Sequence, residues 1–428
     1  MERKERRPSN RPDRYTHSLI TLGQHTMEHV VQTEELAIDG GTPVREETLA
    51  YGGQTIEEED VEAVAEALRS DWLTTGPTVE AFEEELADFV GTDEAAAVSN
   101  GTAALHAAMH AIGIAPGDEV IVPTLTFAAT ANSVVFEGGT PVFADVDPET
   151  LLLDPQSVKE RITEDTKAVV GVDYVGQPCR YDALREISDA HDLVLLDDAC
   201  HATGGTYKGD PVGSLADLNT FSFHPVKNMT TGEGGMVTTD DSDWADQMRR
   251  FRNHGITSTH HERAEEGSWY YEIPEVGYNY RLTDFQCALG ISQLKKLPEW
   301  VRRRREIART YDEAFAPMGA VEPVRQRADS TCAYHLYVIQ LQLERLKADR
   351  EQVFNALQAE GIGVNVHYIP VHYHPYYREN LGTEEGLCPT AEAAYERILT
   401  LPVFPRMTDE DVGDVIEAIQ KVISTFER

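Results

Sequence analysis

From Glu94 to about Thr239, short apolar runs alternate with helical or looped stretches, and this alternation constrains the fold more than any other feature of the chain. The runs are Ala95–Val98, Val120–Val122, Val142–Val146, Val169–Val172, Leu193–Leu196, Thr220–Phe223 and Met236–Thr238. Strands apolar on both sides must be covered on both sides. The pattern therefore predicts an α/β domain with a mostly parallel central sheet and helices on both faces. In such sheets ligands gather at the carboxyl ends of the strands. Upstream, Ile56, Val61, Val64, Ala65 and Leu68 keep helical spacing, as do Val79, Phe82, Leu86 and Phe89, with a loop at Asp71–Pro77 between them.

Residues 240–300 read as helical and looped, with an irregular charged loop around His260–Glu275. A second region opens near Val301 with the basic helix Arg302–Arg305, expected to show a solvated face with i,i+4 partners and enough charge to draw in a diphosphate. A strand at Tyr337–Leu341, a helix at Arg350–Glu360, a strand at Val364–Tyr368 and a last helix after Thr408 follow, the last with Thr408 and Asp411 spaced as a capping box. This predicts a small C-terminal α+β domain over 301–428 beside a large one over 36–300. Residues 1–35 lack sustained periodicity and read as a mobile extension, with Met27 as an alternative start.

The formal charge of −37, from 74 acidic and 37 basic side chains, repels nucleic acid and anionic membranes but leaves room for a small anion in a locally positive pocket. So acidic a surface resembles proteins of salt-loving organisms, in which salt screens self-repulsion, so a halophilic source is expected. No apolar run approaches the ~18–20 residues needed to span a bilayer, and the basic N-terminus leads into no apolar secretory core. The five cysteines, Cys179, Cys200, Cys287, Cys332 and Cys388, are odd in number and far apart. That pattern argues against a disulfide framework or a zinc knuckle and for a cytoplasmic location.

Four motifs carry chemistry. Only nine lysines occur, and Lys227 stands in Ser222-Phe223-His224-Pro225-Val226-Lys227-Asn228, between an apolar strand and the glycine turn Gly232–Gly235. A lysine in a constricted, partly apolar turn can lose its proton and attack a carbonyl; the alternative is a buried stem beside a tight turn. Ser99-Asn100-Gly101-Thr102-Ala103 follows a strand and opens a helix, either a phosphate cradle or a common glycine-bearing N-cap. Leu196-Asp197-Asp198-Ala199-Cys200-His201 places carboxylates at the end of a very apolar strand, where they need a cationic or hydrogen-bonding partner. Strand alternation lets one of the two face a site, and Asp198 is the choice; either could instead cap the turn. His201 fits a donor to a phenolic oxygen or a satisfied strand-end histidine, and Phe127 fits a ring platform or plain core. Together, a cradle, an aromatic platform, a strand-end Asp and a turn lysine are the parts of a pyridoxal 5'-phosphate site.

These motifs, with Gly277–Gln286 and the stretch from Cys388-Pro389 to Leu401-Pro402, resemble the DegT/DnrJ/EryC/StrS family of nucleotide-sugar aminotransferases over about Leu36–Arg428. The resemblance implies the fold-type-I architecture and pyridoxal phosphate as cofactor. By position it implies Lys227 as the Schiff-base lysine, Asp198 as partner of the pyridine nitrogen and His201 near the ring oxygen. It puts Phe127 over the ring, Gly101, Thr102, Ala103 and Ser222 at the phosphate, and Asn279 at the phosphate of a neighbouring subunit, hence a homodimer. Within the family, Tyr51–Ile56, Gly176–Cys179, His224–Lys227 and Gly363–His372 look most like the pseudaminic-acid pathway enzymes. That likeness implies transfer of an amino group from glutamate to C4 of a UDP-linked 4-keto-6-deoxy-N-acetylhexosamine. Alternatives are a dTDP- or GDP-linked sugar, or a non-catalytic cofactor-binding regulator. A sugar dehydratase is disfavoured because Lys227 is present. His367, His372 and His374 could suggest a metal, but no carboxylate or cysteine completes the set; a lining or structural role is expected.

Overall fold

The computed structural model describes residues 35–258, 263 and 267–428. The extension expected over residues 1–35 lies outside them but for Glu35, as does most of the segment 259–266 of the expected charged loop.

Helices α1 (Glu58–Arg69) and α2 (Pro77–Val90) precede strands β1 (Glu94–Val98), β2 (Glu119–Pro123), β3 (Thr140–Ala144), β4 (Thr166–Val172) and β5 (Val194–Asp198). The two-residue strands β6 (Thr206–Tyr207) and β7 (Asp210–Pro211) lead to β8 (Leu218–Ser222) and β9 (Gly235–Thr239). The main sheet has the order β1-β9-β8-β5-β4-β2-β3. Neighbours from β8 to β3 pair in parallel, whereas β9 runs antiparallel to both β1 and β8. The β5 run is buried from Leu195 to Asp198 and β8 along its whole length, which is why neither reads as a half-exposed strand. Helices α3 (Gly101–Ile112), after β1, and α4 (Ala128–Phe136), after β2, cover the core with small residues; in α3 Ala103, Ala104, Ala107 and Ala108 are buried.

A second core gathers Leu36 and Leu49 with Ile307, Tyr311, Phe315, Ile339, Leu357 and Ile419. Its sheet, β10 (Val321–Pro323), β12 (Tyr337–Leu341) and β13 (Ile398–Leu401), is antiparallel in the order β10-β12-β13; β11 (Ser330–Thr331) pairs with β6 instead. The last helix, Asp409–Phe426, starts at the expected capping box of Thr408 and Asp411.

Three sequence expectations meet a different structure. Val364–Tyr368 is not a strand: the edge of β12 open to it is taken by β13, and only Asn365 bridges to Thr400. The four arginines do not share one solvated face, because successive helical residues point about 100° apart. Arg302 meets Glu306 at 2.5 Å as expected, but Arg304 is 1% exposed and donates to the carbonyls of Tyr334, His335 and Val403. Among the described residues no carboxylate pairs with it, and burial lowers its pKa to about 9. The helix holding these arginines, Asp284–Phe315, runs unbroken through residue 300. Finally, α1 forms as predicted but turns Val61 and Leu68 outward and buries Asp60 against Ser292, Gln293 and Lys296.

Candidate active site

The carboxyl ends of β1, β2, β4, β5 and β8 converge on a cavity of about 710 Å³. Lys227 enters it from the turn after β8. The turn closes through Lys227 N–H on the His224 carbonyl at 2.9 Å, and Thr230 Oγ1 donates to the Phe223 carbonyl at 2.9 Å. The next side chain, Asn228, is buried and donates Nδ2 to the carbonyls of Ala333 at 2.9 Å and Thr203 at 3.4 Å. Among the described residues Lys227 has no side-chain ion pair to hold it charged; burial lowers its pKa, opposed by the nearby Cys200 and Asp198. A lysine so placed is the one expected to serve as an amine.

Asp198 lines the cavity at the end of β5 and Asp197 does not. Its Oδ2 accepts from Thr130 Oγ1 at 2.7 Å, and Thr130 in turn meets Thr126 Oγ1 at 2.8 Å. His201 lies three residues on, 5% exposed, with Nε2 at 2.9 Å from the Tyr368 hydroxyl and Nδ1 without a partner among the described residues. Burial, with Lys227 and His367 nearby, drives its pKa well below the usual histidine range, so the ring is neutral. Phe127 is 59% exposed and stands at the cavity, 6.0 Å from the Tyr368 ring, so it is not plain core.

The α3 N-terminus forms another wall. Asn100 Oδ1 caps it by accepting Ala103 N–H at 2.8 Å, and the Asn100 carbonyl takes Ala104 N–H. Gly101 and Thr102 thus keep first-turn N–H groups with no intrahelical acceptor, whereas Ala103 has spent its own. A Cβ on Gly101 would stand 2.7 Å from Ser222 Cβ and 3.0 Å from its Oγ, so glycine is what lets these two walls meet.

Lys227, Asp198, His201, Gly101, Thr102, Ala103, Phe127 and Ser222 therefore all line one cavity. Asn279 does not; it bridges to Asn253 while its neighbour Tyr280 lines the wall. His367 lines the cavity, its pKa lowered to about 4 by burial and by Lys227. His372 instead ties Thr124 Oγ1 at 2.5 Å to Glu392 at 3.0 Å, and His374 precedes the short helix Pro375–Leu381, its carbonyl and not its ring taking the first helical N–H groups. Among the described residues no His, Cys, Asp and Glu group is arranged to hold a metal. Sequence reasoning missed Thr130, Tyr368 and His335. The i,i+4 hydroxyls of Thr126 and Thr130 were a usable signal; His335, buried 4.5 Å from the His201 ring, left none.

Residues 54–420 match the DegT/DnrJ/EryC1/StrS aminotransferase family. The chain belongs to that family. It is an aminotransferase by this membership and is similar to the spore coat polysaccharide biosynthesis protein SpsC of Bacillus subtilis, 44% identical over 89% of this chain and 98% of SpsC. Among solved structures it resembles Helicobacter pylori PseC, an aminotransferase involved in pseudoaminic acid biosynthesis, with TM-score 0.84 and 32% identity, covering 89% of this chain and all of that one. It also resembles the sugar aminotransferase Spr1654 of Streptococcus pneumoniae, described as putative and solved in a PLP form and a PMP form. The PMP form gives TM-score 0.83 and 32% identity over 88% of this chain and 99% of that one. These family members share the fold-type-I architecture, with its mostly parallel sheet.

Proposed function

We propose that this family member transfers an amino group from glutamate to the keto carbon, C4, of a UDP-linked 4-keto-6-deoxy-N-acetylhexosamine, in amino-sugar biosynthesis of the pseudaminic-acid type. The observation that carries the reading is the meeting of Lys227 and Asp198 in one cavity with the α3 N-terminus. The likeness to PseC supports the substrate class.

The residues present fit pyridoxal phosphate, the family's cofactor. The Gly101–Ser222 contact leaves a cradle that a Cβ would fill, Phe127 offers an open ring face, and His201 Nδ1 is an unused polar atom. When bound, the cofactor supplies an aldehyde that carries the amino group and a ring that accepts electrons. Gly101 and Thr102 N–H, with Ser222 Oγ, would hold its phosphate at the positive end of α3; Ala103 would contribute only if Asn100 released it. Phe127 would cover the ring and His201 would serve the phenolic oxygen. Asp198, oriented by Thr130, keeps the ring nitrogen protonated. Lys227 Nζ removes the donor's α-proton and later delivers a proton on the acceptor side, a shuttle that needs the depressed amine pKa found here.

The protein acts as a homodimer in the cytoplasm of a salt-adapted cell. Ile56, Val61, Leu68 and Leu73 lie exposed on and around α1, which supports a second copy covering them. Asn279, absent from its own cavity, then serves the neighbour's phosphate. All five cysteines are free, and among the described residues no helix is long and apolar enough to cross a membrane.

The test is a panel of UDP-, dTDP- and GDP-linked 4-keto and 3-keto sugars with glutamate, read by mass spectrometry. Amination of the UDP-linked 4-keto sugar above the rest is expected. Preference for a dTDP or GDP sugar overturns the substrate assignment, and no amination of any sugar overturns the reading.

A further inference from the structure

Asp197, next to the cavity-facing Asp198, is fully buried, and neither of its carboxyl oxygens receives a well-formed hydrogen bond from a described residue, the Tyr181 hydroxyl being the polar group nearest to hand. Strand alternation turns it to the opposite face of the sheet, where it pairs in register with Gly171. Missing side-chain bulk there admits Tyr181: a Cβ on Gly171 would stand 3.1 Å from the Tyr181 hydroxyl. That hydroxyl donates to Asp173 Oδ1 at 2.9 Å and also stands beside Asp197. Asp173 is fully buried too, but better supplied. Its Oδ1 also accepts Cys179 N–H at 2.9 Å and Arg327 lies within electrostatic reach, while Asp173 Oδ2 and Arg327 Nη1 have no partner among the described residues. Asp173 N–H in turn donates to the Asp198 carbonyl at 3.2 Å.

Hydrogen-bond polarity decides how the pair is charged. The Tyr181 proton is committed to Asp173, so the phenol oxygen can offer Asp197 only a lone pair. An ionised Asp197 has nothing to give it and, among the described residues, no cation beside it; a protonated Asp197 has a donor. We propose that Asp197 keeps its proton and donates it to Tyr181, which donates to Asp173, so that a single negative charge rests on Asp173, behind the carboxylate that faces the cofactor. Asp173 is thereby an electrostatic positioning residue for the ring-nitrogen proton held by Asp198, a role that rests on the reading of Asp198 given above. The groups facing Asp197 are Asp173, Asp198, Tyr181, Cys179 and Cys200, whereas Arg327 acts on Asp173 and Cys179. Burial raises both carboxyl pKa values, Asp173 to about 7 and Asp197 well beyond the carboxylate range, which is the same order of ionisation.

The test compares wild type, Asp197→Asn and Asp173→Asn. In mildly alkaline buffer, the infrared difference spectrum between wild type and Asp197→Asn should show loss of a protonated-carboxyl stretch; its absence overturns the chain. This arm needs no cofactor, so it is independent of the proposed function, which fails separately if wild type takes up no pyridoxal phosphate. In the holoenzymes, Asp173→Asn should lower the pH midpoint of the cofactor's visible absorbance by at least about 0.5 unit, roughly a threefold change in the proton equilibrium. Asp197→Asn, which swaps one neutral group for another, should leave it in place. Equal shifts in both variants, or none in Asp173→Asn, overturn the placement of the charge. If Asp173→Asn does not fold, Asp197→Asn still decides through the infrared band and its unmoved midpoint.

Discussion

His367 gives the protein an acid-labile stability term that can be isolated. It is 7% exposed, its Nδ1 meets Thr400 Oγ1 at 2.8 Å, and burial with the charge of Lys227 brings its pKa from 6.5 to about 4. The unfolded chain thus takes a proton at His367 near pH 6.5, while the folded chain refuses it until near pH 4. Stability from this residue is complete above the unfolded value and drains away as pH falls through the window between the two. With these values the loss between neutral pH and about pH 5 comes to about 2 kcal/mol, because by then the unfolded imidazole is almost fully charged and the folded one is still neutral. His367→Gln, which cannot take up a proton, removes this contribution. Urea unfolding of the cofactor-free protein, in which Lys227 is a free amine, should therefore give at these two pH values a stability drop about 2 kcal/mol smaller in the variant. His201 and His335 act in the same direction but are common to both proteins and cancel. Parallel pH profiles for the two would refute the burial argument.

Lys227→Ala should abolish both turnover and the visible absorbance of the lysine-linked cofactor; retention of full activity removes the basis of the proposed function. Gly101→Ala should weaken cofactor binding at least about tenfold in a fluorescence titration, because the new methyl needs Ser222 to retreat from 2.7 Å. Asn228→Ala strips two buried carbonyls of their donor and should cost about 1–3 kcal/mol in urea unfolding. If α1 is covered by a second copy, Val61→Asp with Leu68→Glu should convert a dimer into monomers in analytical ultracentrifugation; an unchanged species places the interface elsewhere.

The main sheet was legible because its strands are apolar on both faces and separated by helix-forming stretches. Each run expected between Ala95 and Thr238 overlaps an observed strand. Lys227, Asp198, Phe127 and the α3 cap were legible for a related reason: all stand at or shortly after strand ends in local sequence. The misreadings share a non-local cause. Val364–Tyr368 has strand composition, but pairing is decided by which neighbour reaches the edge of β12 first in space, and Ile398–Leu401 does. Arg304 looks like its neighbours in sequence, yet three carbonyls from distant loops make a buried guanidinium tolerable. The outward turn of Val61 followed from nothing on α1 itself, but from Ser292, Gln293 and Lys296, more than two hundred residues away, claiming Asp60.

The fastening of Asn228 has a reach beyond stability. One carboxamide, adjacent to the reactive amine, clasps a carbonyl just past His201 and another two residues before His335. Three stretches far apart in sequence are thereby riveted together at a single point. Rim loops such as the one around Tyr368 can drift, lengthen or be exchanged to suit a different sugar without disturbing the amine. A deletion near residue 333, however remote on paper, would be felt directly at Nζ.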